Sequence, residues 1–96
     1  MLIRLVKMEF EPEKVNIFLE VFAASRTKIL GMEGCMGLEL LNGIDQKNIF
    51  FTHSKWESAE CLEKYRKSQL FKDTWAKTKP LFRNKAEAWS VTGYEY

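Results

Sequence analysis

The single histidine of the chain, His53, lies in an alternating stretch that runs from Asn48 to Ser58 as NIFFTHSKWES. An imidazole is a natural general base, because its unperturbed pKa lies near neutral pH. Side chains alternate between the two faces of a strand, so His53 shares its face with apolar Phe51. We therefore interpret His53 as a hydrogen-bonded packing residue. The opposite face carries the candidates for a reaction site, which are Thr52, Ser54 and Trp56.

Aromatic side chains follow this stretch at spacings that suit a pocket. Tyr65, Phe71 and Trp75, together with Trp56, could line a site for a flat ligand, because binding sites commonly combine aromatic walls with few polar groups. The alternative is that Phe71 and Trp75 are the buried stripe of a helix. Both interpretations are kept for these two residues.

The first third of the chain predicts a strand followed by a helix. Residues 2–10 predict a strand, with one face largely apolar and Lys7 and Glu9 on the other. Pro12 suits the first turn of a helix, where its missing N–H would have been unpaired. Gly31 then predicts a left-handed helix stop. The helix between them shows an apolar stripe, formed by Val15, Phe18, Leu19, Phe22, Ile29 and Leu30.

The remainder predicts two strands, a helix in two pieces and a last strand. Residues 34–41 form the second strand, and the polar segment 42–46 turns the chain into the third, as a hairpin. Ser58 and Ser68 can each cap a helix, which predicts two helical pieces. Leu62 and Tyr65 would face inward from the first piece. The last strand is predicted over residues 86–92.

This order is βαββαβ, which predicts a ferredoxin-like α+β fold in one domain spanning residues 1–96. Its four-stranded antiparallel sheet carries both helices on one face. The other face would then expose Ile3, Leu5, Ile49 and Phe51, an apolar area too large to remain in water. A second copy of the chain is the simplest cover, and the sequence therefore predicts a homodimer whose sheets pack face to face.

Composition excludes several classes of protein. The net charge is +2, from 15 basic and 13 acidic residues mixed along the chain, which gives no footprint for nucleic acid. There is no apolar run long enough for a membrane span, and Arg4, Lys7 and Glu9 interrupt any signal-peptide core. Cys35 and Cys61 lack metal-ligand spacing and are expected to be reduced, small apolar fillers. We expect a cytoplasmic protein.

The sequence resembles the antibiotic biosynthesis monooxygenase (ABM) family from the first strand to Trp89. The resemblance rests on Gly34-Cys35, on SKWES followed by AECLEKYRKSQLFK, and on the Ser-x-x-Phe step at residues 68–71. It implies homodimers with a ligand cavity between each sheet and its own helices. Several family members oxygenate aromatic or quinol-type substrates without metal or flavin. Other members degrade haem, are isomerases or have no known activity.

On this resemblance, the expected function is cofactor-independent monooxygenation of a small aromatic or quinol-like molecule. Tyr65 and Trp56 are the catalytic candidates, and no cofactor or metal is expected. The substrate-binding candidates are Arg4, Thr52, Ser54, Phe71 and Trp75. The alternative is a non-catalytic, dimeric small-molecule-binding domain.

Departures from the family pattern affect the chemistry. Ser54, Tyr65 and Leu70 stand where members often have a glutamate and two histidines, so the site lacks an obvious base. A substrate that ionises by itself, such as an acidic quinol, would relax this need. Trp75 occupies the position of the haem-ligating histidine, and an indole cannot coordinate iron. The sequence therefore predicts that the protein is not a haem-degrading enzyme.

Overall fold

The computed structural model describes residues 1–96 and has the predicted ferredoxin-like architecture. The sheet is antiparallel throughout, with strand order β2-β3-β1-β4. The strands are β1 (Leu2–Phe10), β2 (Cys35–Asn42), β3 (Ile49–Trp56) and β4 (Phe82–Val91). The α-helices are α1 (Val15–Leu30), α2 (Ala59–Arg66) and α3 (Gln69–Thr78), and short 3₁₀ turns occupy Pro12–Lys14 and Lys79–Leu81. None of the three α-helices combines the length and the apolar character that a membrane crossing requires.

The hydrophobic core lies between α1 and one face of the sheet, which we name the inner face. Phe10 at the end of β1 is completely buried and stacks on Phe18 of α1, with ring centroids 4.2 Å apart. Phe50 of β3 packs beside both rings. Met8 and Leu81 complete this cluster. The core therefore fixes one end of the sheet against the first helix.

Two serine caps divide the second helical segment as predicted. The Ser58 hydroxyl accepts a hydrogen bond from the backbone N–H of Cys61 at 3.2 Å, at the start of α2. The Ser68 hydroxyl accepts from the backbone N–H of Phe71 at 3.1 Å, at the start of α3. It also donates to the carbonyl of Tyr65 at 2.6 Å, at the end of α2. Ser68 thus terminates one helix and begins the next.

The predicted left-handed stop at Gly31 is wrong. Gly31 follows α1 with a φ of −81°, which any residue adopts, and the left-handed glycine is Gly34, with a φ of 77°. A Cβ atom at Gly34 would lie 2.6 Å from the Cβ of Cys61. Gly34 is therefore required both by its backbone conformation and by the close approach of α2.

Two element details also differ from the sequence prediction. Leu19 is 38% exposed, because the buried side of α1 follows Phe18, Ser25 and Ile29 and leaves Leu19 at its edge. The last strand begins at Phe82 instead of residue 86, and the ring of Phe82 packs against Phe10 with centroids 5.4 Å apart. This aromatic contact favours the earlier start of β4.

The side of the sheet away from the helices, which we name the outer face, is rich in apolar groups. Leu5 of β1 pairs with His53 of β3 and with Trp89 of β4. Leu41 pairs with Phe51. Trp89 and Leu41 are 46% and 44% exposed, so apolar area on this face reaches solvent, with the charged pair Lys7 and Glu87 among it.

Substituting Gly34 by alanine should destabilise the protein by about 2 kcal/mol or more, because the new Cβ meets Cys61 in a strained backbone conformation. Gly31→Ala is the matched control. Its φ is negative and the nearest atom to a new Cβ lies 3.5 Å away, so its stability should be unchanged or slightly higher. Urea unfolding followed by circular dichroism measures both variants. Equal stabilities would contradict the proposed role of Gly34.

Candidate functional site

A cavity of about 320 Å³ lies between the inner face of the sheet and all three helices. Most of its wall is apolar, and its volume suits a small ligand. On β4 the wall is formed by Ala86 and Ala88. Their small side chains leave open the space that larger residues would fill.

The inner face of β3 supplies the predicted residues Thr52, Ser54 and Trp56 to this cavity. Trp56 is completely buried, and its indole N–H donates to the hydroxyl oxygen of Ser54 at 2.9 Å. An indole has only one donor, so Trp56 has none left for a ligand. The Ser54 hydroxyl, held by this bond, keeps its own proton for donation into the cavity.

An aromatic wall runs from β3 along α2 and α3. Tyr65 stacks on Trp56 with centroids 5.0 Å apart, and Phe71 meets Tyr65 edge-on at 5.2 Å. Trp75 lies parallel to Phe71 at 5.9 Å. Phe71 and Trp75 are only partly buried and both line the cavity, so they are more than a helix stripe buried in the core.

Tyr65 is the neutral donor of the site. Burial raises the pKa of its phenol to about 12, and negative charge on the nearby Cys35 sulfur acts in the same direction. The phenol therefore stays protonated at neutral pH. A protonated tyrosine donates a hydrogen bond and does not serve as a base.

Two arginines bring positive charge to the cavity. Arg4 of β1 was predicted there, and its Nη1 donates to the hydroxyl of Ser90 on β4 at 3.1 Å. Arg66 of α2 was missed. Burial lowers the pKa of Arg4, the charge of Arg66 lowers it further, and the carboxylate of Glu63 acts oppositely. The sequence does contain one indication that Arg66 faces the cavity. It lies one helical turn after Leu62, which the apolar pattern predicts to face inward.

His53 lies outside the cavity, on the outer face. Its partners across the sheet are Leu5 and Glu39, and its Nδ1 is 3.5 Å from the Glu39 carboxylate. The predicted strand register is therefore confirmed. The ionisable side chains of the cavity wall are Arg4, Tyr65 and Arg66. Nowhere in the chain do three or more His, Cys, Asp or Glu side chains gather as a metal site would require.

Comparison with known proteins identifies the class. The antibiotic biosynthesis monooxygenase family model matches residues 1–77, and the chain belongs to this family. No curated protein matches.

Solved structures share the fold. A conserved protein from Methanosarcina mazei Go1 is 22% identical, with a TM-score of 0.89, covering 95% of this chain and 91% of its own. A protein described as an antibiotic biosynthesis monooxygenase is 15% identical, with a TM-score of 0.92 and coverage of 99% and 100%. A Mycobacterium tuberculosis protein is 14% identical, with a TM-score of 0.89 and coverage of 99% and 96%.

The buried phenol predicts a specific loss of stability at high pH. The unfolded chain ionises Tyr65 near its ordinary pKa of 10, whereas the folded chain does so at about 12. The folded state therefore binds more protons between these values, and the free energy of unfolding falls as pH rises through this window. Tyr65→Phe should show a smaller loss. Urea unfolding at pH values on both sides of the window measures it, and parallel pH dependence in the two proteins would contradict the burial of an intact phenol.

Proposed function

We propose that the protein is a cofactor-independent monooxygenase that acts on a small aromatic or quinol-like substrate in this cavity. The observation that carries the proposal is the aromatic cavity. Beside its Trp56 and Tyr65 rings lie several hydrogen-bond donors, which are the hydroxyls of Ser54 and Tyr65 and the guanidinium of Arg4. Membership of the monooxygenase family supports the class of reaction. An aromatic wall holds a flat ring, and donors stabilise negative charge that develops on its oxygen atoms.

The chemistry needs an electron-rich anion that can transfer an electron to molecular oxygen. For a hydroquinone, one oxygen atom enters the ring and the other leaves as water. The ring loses four electrons as it becomes a hydroxyquinone, so atoms and electrons balance. The protein's contribution is to bind the ring, exclude water and hold the oxyanion in place.

Each predicted residue has a physical role in this proposal. Tyr65 donates a hydrogen bond from its phenol to the developing oxyanion. Trp56 orients the Ser54 hydroxyl through its hydrogen bond at 2.9 Å. Ser54 donates beside it. Arg4 and Thr52 bind the polar edge of the substrate. The rings of Phe71 and Trp75 form the wall against which the substrate lies.

We propose that the protein functions as a homodimer whose outer faces pack together. The support is the apolar surface around Leu5, Phe51 and Trp89, on the side of the sheet that the helices leave uncovered. An obligate interface typically has this apolar character. Packing of the two outer faces would also remove the exposed side chain of Leu41 from water.

The alternative is a non-catalytic domain that binds a small molecule. One observation favours it: the ionisable groups of the wall are two arginines and a tyrosine whose pKa is raised to about 12. None of these accepts a proton at neutral pH. An enzyme with this wall depends on a substrate that supplies its own anion.

Oxygen uptake with a panel of hydroquinones separates the two functions. The enzyme should consume oxygen faster than autoxidation does, and Tyr65→Phe should lower kcat/KM about a hundredfold, because one oxyanion donor is lost. Tyr94→Phe is the matched control, since Tyr94 is 83% exposed and lies away from the cavity wall. Uptake no faster than autoxidation across the panel, with binding retained, would support the alternative.

The dimer has its own test. Phe51→Asp should dissociate or unfold the protein, because burying a carboxylate in the interface costs more in desolvation than its cross-strand neighbour Lys7 returns. Ile44→Asp is the control, as Ile44 is 86% exposed in the turn between β2 and β3. Sedimentation velocity at micromolar concentration measures the outcome. A folded wild-type monomer under these conditions would contradict the proposal.

A further inference from the structure

The charges of the cavity wall are all of one sign. Arg4 reaches it from β1 and Arg66 from the last turn of α2, so two separate elements bring guanidinium groups to one space. The wall contains neither a carboxylate nor an imidazole. Two cations and no anion in the wall favour a negatively charged ligand.

The protein neutralises these charges only weakly. Arg4 donates to the uncharged hydroxyl of Ser90 and takes part in none of the ion pairs of the structure, although the charge of Glu63 acts on it from a distance. Arg66 has one carboxylate partner, Glu63, at 3.4 Å and one helical turn away. Both side chains of that pair are about half exposed, and such surface pairs contribute little. Donor capacity therefore remains on both guanidinium groups.

The neutral polar groups nearby are also arranged as donors. The Ser54 oxygen accepts from Trp56, which leaves its hydroxyl proton for a ligand. Tyr65 retains its phenol proton at neutral pH. Ionised oxygen atoms accept hydrogen bonds and donate none, so they satisfy such a set of groups.

We propose that the cavity selects a planar aromatic ligand that is already an anion, with its ionised oxygen held by Arg4 and Arg66 and its ring against Tyr65, Phe71 and Trp75. This inference deepens the proposed function, because it places the ligand in the same site. The anionic oxygen belongs either to a carboxylate or to the enolate of a hydroxyquinone. Both present the acceptor that two guanidinium groups bind well.

The inference agrees with the absence of a base from the cavity wall, because binding of an anion needs none. A ligand that loses its proton in water needs no side chain to remove it, and the arginines then select the ionised form. In the enolate of a hydroxyquinone the negative charge lies on the ring system itself, at the oxidation level of the reaction product. In a carboxylate it serves only to anchor the ring.

The test is calorimetric titration of the full chain without oxygen, using two matched pairs of ligands. One pair is a naphthalene carboxylate and its carboxamide, and the other is a hydroxynaphthoquinone and its methyl ether. At least one anion should bind about tenfold more tightly than its neutral partner, the scale of one charge-assisted hydrogen bond. The pair that shows the preference identifies the source of the charge. Equal affinity within both pairs, or no binding, would overturn the proposal.

Charge variants sharpen the test. Arg4→Gln and Arg66→Gln should each weaken binding of the anion about tenfold and leave the neutral partner unaffected. Lys64→Gln is the control, since Lys64 lies on the same helix but pairs with Glu33 at 3.3 Å. Glu63→Gln should strengthen binding of the anion severalfold, because it frees Arg66. Weaker anion binding in Glu63→Gln would contradict the proposal.

The two proposals fail separately. Equal oxygen uptake with neutral and anionic substrates would contradict the selection of anions but not the monooxygenase function. Selective binding of anions without oxygen uptake would contradict the monooxygenase function but support the anion site.

Discussion

The pairing of β1 with β3 at the centre of the sheet is the constraint on which the other features depend. Arg4 lies opposite Ser54, and Leu5 lies opposite His53. Because side chains alternate, this one register places the polar and aromatic groups against the helices and the histidine on the outer face. A shift of one residue would move Trp56 out of the cavity wall. The chemistry available to the cavity is therefore decided by backbone pairing.

Much of the fold could be predicted because its signals are local. Alternation defines a strand, and a serine before an apolar stripe defines a helix start, so the two pieces of the second helical segment could be located at Ser58 and Ser68. Gly34 could not be assigned in this way. Its need for glycine comes from its left-handed backbone and from contact with Cys61, which is distant in sequence. The helix stripe shows where α1 ends and contains no information about that contact.

The candidate site was predictable along β3 and less so on the helices. Thr52, Ser54 and Trp56 share a face by strand geometry alone. Arg66 stands among the basic residues of the segment KYRK, which is typical of a solvated helix surface. Only the packing of α2 across the sheet brings it near Arg4. The bond from Trp56 to Ser54 was also beyond sequence reasoning, because it depends on two side-chain rotamers.

The aromatic wall is continuous with the hydrophobic core. Trp75 meets Phe82 edge-on at 5.5 Å, and Phe82 packs in turn on Phe10, the most buried ring of the core. Changing the shape of the cavity through these rings therefore disturbs the packing that holds the fold together. The polar groups at its edge, such as Arg66, are half exposed and carry little of that packing. Evolution of a new substrate preference in this scaffold is thus easiest through charge at the edge, while the size of the ring that fits remains fixed by stability.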